Sequence, residues 1–150
     1  MIVATAELAE HRGAVSMVDG GFDPLHPGHV RYFREAAALG LPVLCNVSSD
    51  DYVSIKHPPL LTQAERGAVI DAFRDIHLVH LSQTDTASVL EALRPRYYVK
   101  GGDWAGRLPE REMAVCREHG IEPVFLDTVL DSSSRIVSAL AARLALDPRP

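Results

Sequence analysis

The chain has 150 residues, 47% of them hydrophobic and 23% charged, with a formal net charge of -5. That length suits one domain with a single sizeable core, and the acidic balance excludes a general nucleic-acid binder, which needs a basic face. A local basic pocket for one small phosphate compound stays open. Cys45 and Cys116 form no CxxC pair, so neither a disulfide framework nor a redox motif is expected. The opening MIVATAELAEHRG is too polar for a secretory signal, and no apolar stretch approaches the roughly 20 residues of a membrane span. A cytoplasmic protein without membrane or nucleic-acid partners is the expectation.

Five apolar runs occur in order: AVSMV at 14–18, LPVLCNV at 41–47, IHLVHL at 76–81, RYYVK at 96–100 and IEPVFL at 121–126. Near-continuous apolar character predicts parallel strands buried on both faces. Helical patterns lie between them. HVRYFREAAALG sets Val30, Phe33 and Ala37 on one side and stops at Gly40. LTQAERGAVIDAFRDI opens with Thr62 and Glu65 at capping-box spacing and offers Ala68, Ile70 and Phe73 to a core. DTASVLEALRP starts on Asp85 as a cap and ends before Pro95. EREMAVCREHG and SRIVSALAARLAL complete the set. The pattern predicts one α/β domain over 1–150, with a five-stranded, mostly parallel sheet and a core over about 14–145.

Ligands of such folds bind beyond the carboxyl ends of the strands. The loops to search are therefore 19–29, 48–61, 82–86, 100–108 and 127–134. The first reads DGGFDPLHPGH. Pro27 suits a first helical turn, Gly28 lets backbone come close to a ligand, and His26 and His29 would face the exposed N–H groups of the helix start. Together they make an anion site suited to phosphate. The competing reading has one histidine capping the helix and the other packing. A zinc pair is disfavoured, because no further Cys/His cluster completes a coordination set.

The segment GGFDPLHPGHVRYFREAAALG resembles the HxGH motif, with its preceding Phe-Asp, of the cytidylyltransferase-like nucleotidyltransferases. VSSDDYVSIKHPPLLTQAER resembles that superfamily's second-strand segment, LRPRYYVKGGDW its fourth, and SSSRIV its Ser/Thr-rich helix start. The likeness covers roughly residues 14–140. It implies a Rossmann-like three-layer fold and an enzyme that joins a nucleoside monophosphate to a phosphorylated small molecule, releasing pyrophosphate. VKGGDW is most similar to the adenylyltransferase domain of bacterial ADP-heptose synthesis, which acts on a heptose 1-phosphate. Glycerol-3-phosphate cytidylyltransferases are next.

Carried over by position, the resemblance implies His26, His29 and Lys56 as catalytic groups. Gly20, Gly21, Phe22, His26, Gly28 and His29, then Lys100, Gly101, Gly102, Asp103 and Trp104, then Ser132, Ser133 and Ser134 would bind the nucleotide. Asp19, Asp50, Lys56 and Arg66 would meet the acceptor. It implies Mg²⁺ as the nucleotide complex, with ligands unassigned, and a homodimer. A stand-alone transfer domain, without the kinase domain sometimes fused to such enzymes, is expected.

The pattern departs from the family in three places. Leu130 and Asp131 precede the serines where a glycine is usual, LDTVLD has no arginine, and Asp19 stands where relatives carry Asn or Thr. These departures leave two rivals: a cytidylyltransferase for glycerol 3-phosphate or a similar polyol phosphate, and a non-catalytic nucleotide-binding module.

Overall fold

The computed structural model describes residues 1–127 and 132–146, apart from the side chains of Ser132 and Leu146. Leu130 and Asp131 fall outside the described residues. Six parallel strands form one sheet in the order β1-β4-β3-β2-β5-β6. These are β1 (Ile2–Val3), β2 (Ser16–Gly20), β3 (Val43–Val47), β4 (Leu78–Leu81), β5 (Tyr97–Gly101) and β6 (Glu122–Leu126). The expected five-stranded sheet is therefore corrected to six. The added strand is too short to leave a pattern in sequence; it is fixed by pairing of Ile2 with Val79 and Val3 with His80.

Strand register sorts the core into two layers. Met17, Leu44, Leu78 and Tyr98 lie abreast on one face, under a 3-10 helix at Thr5–His11, α4 (Thr86–Leu93) and α5 (Glu110–His119). Val18, Cys45, Val79 and Val99 lie abreast on the other, where α1 (Pro27–Ala37) and α3 (Gln63–Asp71) pack. Leu8, in the 3-10 helix, is fully buried, so the core begins well before residue 14.

The helix signals of the sequence have local causes. Thr62 caps α3 and Glu65 returns the bond, completing the capping box. Asp85 caps α4 by accepting from the Ser88 N–H at 2.8 Å. Ala68 is exposed, against expectation, because Arg66, Gly67 and Ile70 form the inward face of α3. Among the described residues no helix is long and apolar enough to cross a membrane.

The chain runs outward through β2, β3 and β4, then returns to place β5 on the other side of β2. This reversal makes a topological switch point between β2 and β5, where a crevice opens beyond the strand ends. Gly102, just after β5, lies so near β6 that an added Cβ would sit 2.6 Å from the Leu126 carbonyl oxygen. Backbone cannot step aside as a flexible side chain can. Gly102→Ala is expected to lower the unfolding free energy by about 1–3 kcal/mol, read as a fall in the urea midpoint at unchanged slope.

Candidate active site

The crevice at the switch point is a cavity of about 370 Å³. The loop after β2 forms its floor, α1 one side, residues 48–57 another, residues 100–104 a third, and the start of α6 (Ser132–Leu146) its rim. Of the residues expected at the site, Asp19, Gly20, Gly21, Phe22, His29, Lys56, Lys100, Asp103, Trp104, Ser133 and Ser134 line it.

Both histidines take part in starting α1. His26 is the N-cap of α1, and its Nδ1 accepts from the Gly28 N–H at 3.0 Å. His29 sits three residues on, and its Nδ1 accepts from the His26 N–H at 3.3 Å. This is a capping box built from imidazoles. A neutral imidazole whose Nδ1 accepts must carry its proton on Nε2. The bonds that start the helix thus fix each ring as an Nε2–H donor. The rings stack with centroids 3.9 Å apart, and His29 lines the cavity whereas His26 does not. Burial first, then repulsion from His26, lowers the pKa of His29 to about 3. It is therefore a neutral donor at neutral pH.

Phe22 holds His29 in place from the side, edge to face at a centroid distance of 5.1 Å. It does so with a left-handed backbone, φ 55°, which is uncommon for a bulky residue and marks a tightly determined corner. Gly20 and Gly21 lie under this corner; an added Cβ would meet the Phe22 ring at 3.2 Å or Val53 at 3.0 Å. Their close approach is thus demanded first by the chain's own packing.

Lys100 and Asp19 form a buried ion pair at 2.8 Å beneath the cavity. Asp19 Oδ2 also accepts from Thr86 Oγ1 at 3.0 Å, and the Lys100 ammonium lies 4.3 Å from the centroid of the Trp104 ring. Lys100 is therefore spent on the wall, holding Trp104 and Asp19 together. Asp103 differs: its Oδ1 is buried in the site with no hydrogen-bond partner among the described residues. It is an acceptor awaiting a donor.

Arg66 and Asp50 are not cavity residues. Arg66 is fully buried and pairs with Asp50 at 2.6 Å, while its other donors reach the Gly21 carbonyl at 2.5 Å and the Leu61 carbonyl at 3.2 Å. The pair clamps the first loop to the segment that carries Lys56, from behind the wall. Asp23, which also lines the cavity, performs a matching task. Its carboxylate accepts from Leu60 N–H at 2.7 Å and Leu61 N–H at 3.3 Å. Lys56 is exposed at the mouth. Ser133 Oγ donates to the Pro24 carbonyl at 3.0 Å, tying the start of α6 to the first loop.

Ser48, Tyr52, Val53 and His57 also line the cavity and were not expected there. Their segment adjoins Lys56, and Tyr52 stands one helical turn before it. Gly28, Gly101 and Gly102 do not line the cavity. The side chain of Ser132 lies outside the described residues. No group of three or more His, Cys, Asp or Glu among the described residues is arranged to hold a metal.

A family profile described as Cytidylyltransferase-like matches residues 17–137. The chain belongs to this family. Its domain is a nucleotidyltransferase. Among curated proteins, the bifunctional protein HldE of Trichlorobacter lovleyi is 39% identical over 106 residues, covering 68% of this chain and 21% of that protein. HldE of Citrifermentans bemidjiense is 34% identical over 147 residues, covering 93% and 30%. The chain thus spans between a fifth and a third of these relatives. Among solved structures, a lipopolysaccharide core biosynthesis protein from Thermoplasma volcanium superposes with a TM-score of 0.65 at 22% identity, covering 77% of this chain and 98% of that one. Pantothenate synthetase from Thermus thermophilus gives 0.57 at 18% identity, covering 91% and 66%. Both show the fold alone.

The depressed pKa of His29 gives this nucleotidyltransferase an acid liability. Between pH 6.5 and about pH 5 the unfolded chain takes up a proton on this imidazole that the folded chain refuses. Stability therefore falls with pH across that window, by about 1.5 kcal/mol for this group. His29→Gln keeps a side chain able to return the capping bond. Urea unfolding at the two pH values should show that much less loss in the variant; equal losses would refute the assignment.

Proposed function

We propose that the domain transfers a nucleoside monophosphate from ATP to a sugar 1-phosphate of the heptose type, releasing pyrophosphate. The observation that carries this is the imidazole capping box, which sets His29, a neutral donor at a helix start, in the wall of a crevice at the switch point. The choice of ATP and heptose rests on the resemblance of VKGGDW to ADP-heptose adenylyltransferases and on the likeness to HldE.

In this reading the acceptor's phosphate oxygen attacks the α-phosphorus, a new P–O bond forms, and the bond to pyrophosphate breaks in line. No covalent enzyme intermediate is involved. The chain contributes position and charge neutralisation. His29 donates to the triphosphate where negative charge grows. His26 stacks behind it and fixes its orientation, while burial first of all keeps it neutral. Lys56, at the mouth, lies over the phosphates or the acceptor. Ser133, Ser134 and the helix N–H groups they flank hold the β- and γ-phosphates. Asp103 accepts from a ribose hydroxyl, with Trp104 packed beside it. Mg²⁺, held mainly by the triphosphate as is usual for this ion, would neutralise phosphate charge. That role asks for no dedicated cage of protein ligands. A homodimer belongs to the same proposal, supported by Ile136, Leu140 and Leu144 exposed at helical spacing on α6. Sedimentation at the 16.4 kDa mass of one chain would rule it out.

The test is pyrophosphate release across ATP, CTP, GTP and UTP, each with heptose 1-phosphate, another hexose 1-phosphate or glycerol 3-phosphate, Mg²⁺ present. Release confined to ATP with heptose 1-phosphate is expected. Activity only with CTP and glycerol 3-phosphate would replace the reading with the cytidylyltransferase one. Silence from folded, nucleotide-binding protein would favour a module without chemistry. His29→Ala should lose about 10²–10³ in turnover, the usual effect of removing one such donor. Unchanged turnover in that variant would sink the mechanism.

A further inference from the structure

The crevice opens where two neighbouring strands part. β2 pairs with β5 from Ser16 with Tyr97 to Val18 with Val99, and among the described residues goes no further. β2 runs on beside β3 as far as Gly20 with Val47, and β5 beside β6 as far as Gly101 with Leu126. Asp19 and Gly20 therefore form one lip of the cavity, and Lys100 forms the other.

Parting leaves backbone groups facing a gap. The Ser16 N–H donates to the Pro42 carbonyl and the Gly20 carbonyl accepts from Ser48, both on the β3 side. Alternate residues of a parallel strand bond to opposite neighbours, so the Asp19 N–H turns toward β5. The Arg96 carbonyl accepts from Glu122 on the β6 side. The carbonyl of Val99, three residues on, therefore turns toward β2. Both Asp19 and Val99 are buried, so each of these groups needs a partner.

Tyr32 supplies both. It lies on α1 one turn beyond His29, fully buried, and its hydroxyl donates to the Val99 carbonyl at 2.5 Å. The Asp19 N–H bonds the same oxygen from the other strand. Burial, and then the Asp19 carboxylate, hold the phenol's pKa well above its usual value, so the hydroxyl keeps its proton. One O–H thus stands between the strands where they separate. On the opposite face the strand ends carry a buried polar row. Asp19, Asn46 and His80 are in register, and Lys100 is bonded to Asp19 at 2.8 Å. That bond ties the same two lips from the other side.

We propose that Tyr32 is a positioning residue for nucleotidyl transfer, its hydroxyl fixing the distance between the helix start that carries His29 and the wall formed by Lys100 and Trp104. This rests on the cavity being the site of transfer. Tyr32 does not line the cavity, so it acts through α1, Asp19 and Val99 and not by contact with a substrate. Without the hydroxyl the ring still fills its place in the core, but the lips lose their shared bond. Alignment in the transition state suffers more than binding does, since a misplacement of about 1 Å costs about a hundredfold in rate.

The test compares wild type with Tyr32→Phe and with Phe73→Leu, a core change that touches α1 through Phe33 and lies outside the cavity. Pyrophosphate release is measured with ATP and heptose 1-phosphate, beside urea midpoints for all three proteins. Tyr32→Phe is expected to lower kcat about tenfold to a hundredfold, with both KM values within twofold. Phe73→Leu is expected to lose stability and keep kcat within twofold. An unchanged kcat in Tyr32→Phe, or an equal fall in both variants, overturns the proposal. Hydrogen exchange on wild type needs no variant to fold. The Asp19 amide is expected to be as protected as amides inside the β2–β3 ladder, and exchange at the rate of an exposed loop overturns the bridge. Wild type silent with this pair brings down the transfer reading, and the positioning role with it. Active wild type beside an equally active Tyr32→Phe brings down the role of Tyr32 alone.

Discussion

Hydrophobic packing on one face of the sheet stops a single rung short of the strand ends, and the last rung has to be polar and satisfied. A buried polar group left without a partner costs about 1–3 kcal/mol, so Asp19, Asn46, His80 and Lys100 cannot simply be tolerated. Lys100 answers Asp19 and His80 answers Asn46, each across neighbouring strands. Thr86 and Thr5 arrive from helices, and Tyr98 from β5 itself, to add hydrogen bonds to the row. The row therefore fixes register as firmly as the apolar rungs do. A slip of one residue would turn these groups toward the Val18, Cys45, Val79 and Val99 layer. Whatever binds above the strand ends inherits that accuracy.

The same economy governs the start of α1. A helix leaves its first N–H groups without internal partners, and here two imidazoles satisfy two of them. In doing so they surrender Nδ1 and keep Nε2–H. Capping and donor placement are one set of bonds, and the structural and chemical explanations of HPGH describe a single arrangement. Behind it, Arg66 and Asp23 tie the loop after β2 to the segment carrying Lys56 by gripping main-chain groups. The resulting cavity is shaped by backbone held from behind.

Much of this was legible in the residues. The apolar runs marked five strands to within two residues at their starts, and Thr62, Glu65 and Asp85 announced their helix caps because capping depends on near neighbours. HPGH and KGGDW marked two walls of the crevice for the same reason. The features that stayed hidden depend on distant contacts. The two-residue strand Ile2–Val3 exists only through its pairing with β4. Arg66 was set at the acceptor by the resemblance; arginines are seldom fully buried, and nothing local reveals that Gly21 and Asp50 would enclose it. Asp23 gave no local sign of its task, since its partners lie far along the chain. The polar row was invisible for a related cause: each strand shows one polar residue near its end, and only register puts the four side by side.

The histidine box has an evolutionary corollary. Its two capping bonds both run within four consecutive residues, so they can survive wholesale change in the sheet around them. The polar row is the opposite kind of object, assembled from four strands and dissolved by altering any one of them. A lineage built on this plan can keep the helix start constant while exchanging side chains along the strand ends. One is inherited as a unit, and the other is free to change one strand at a time.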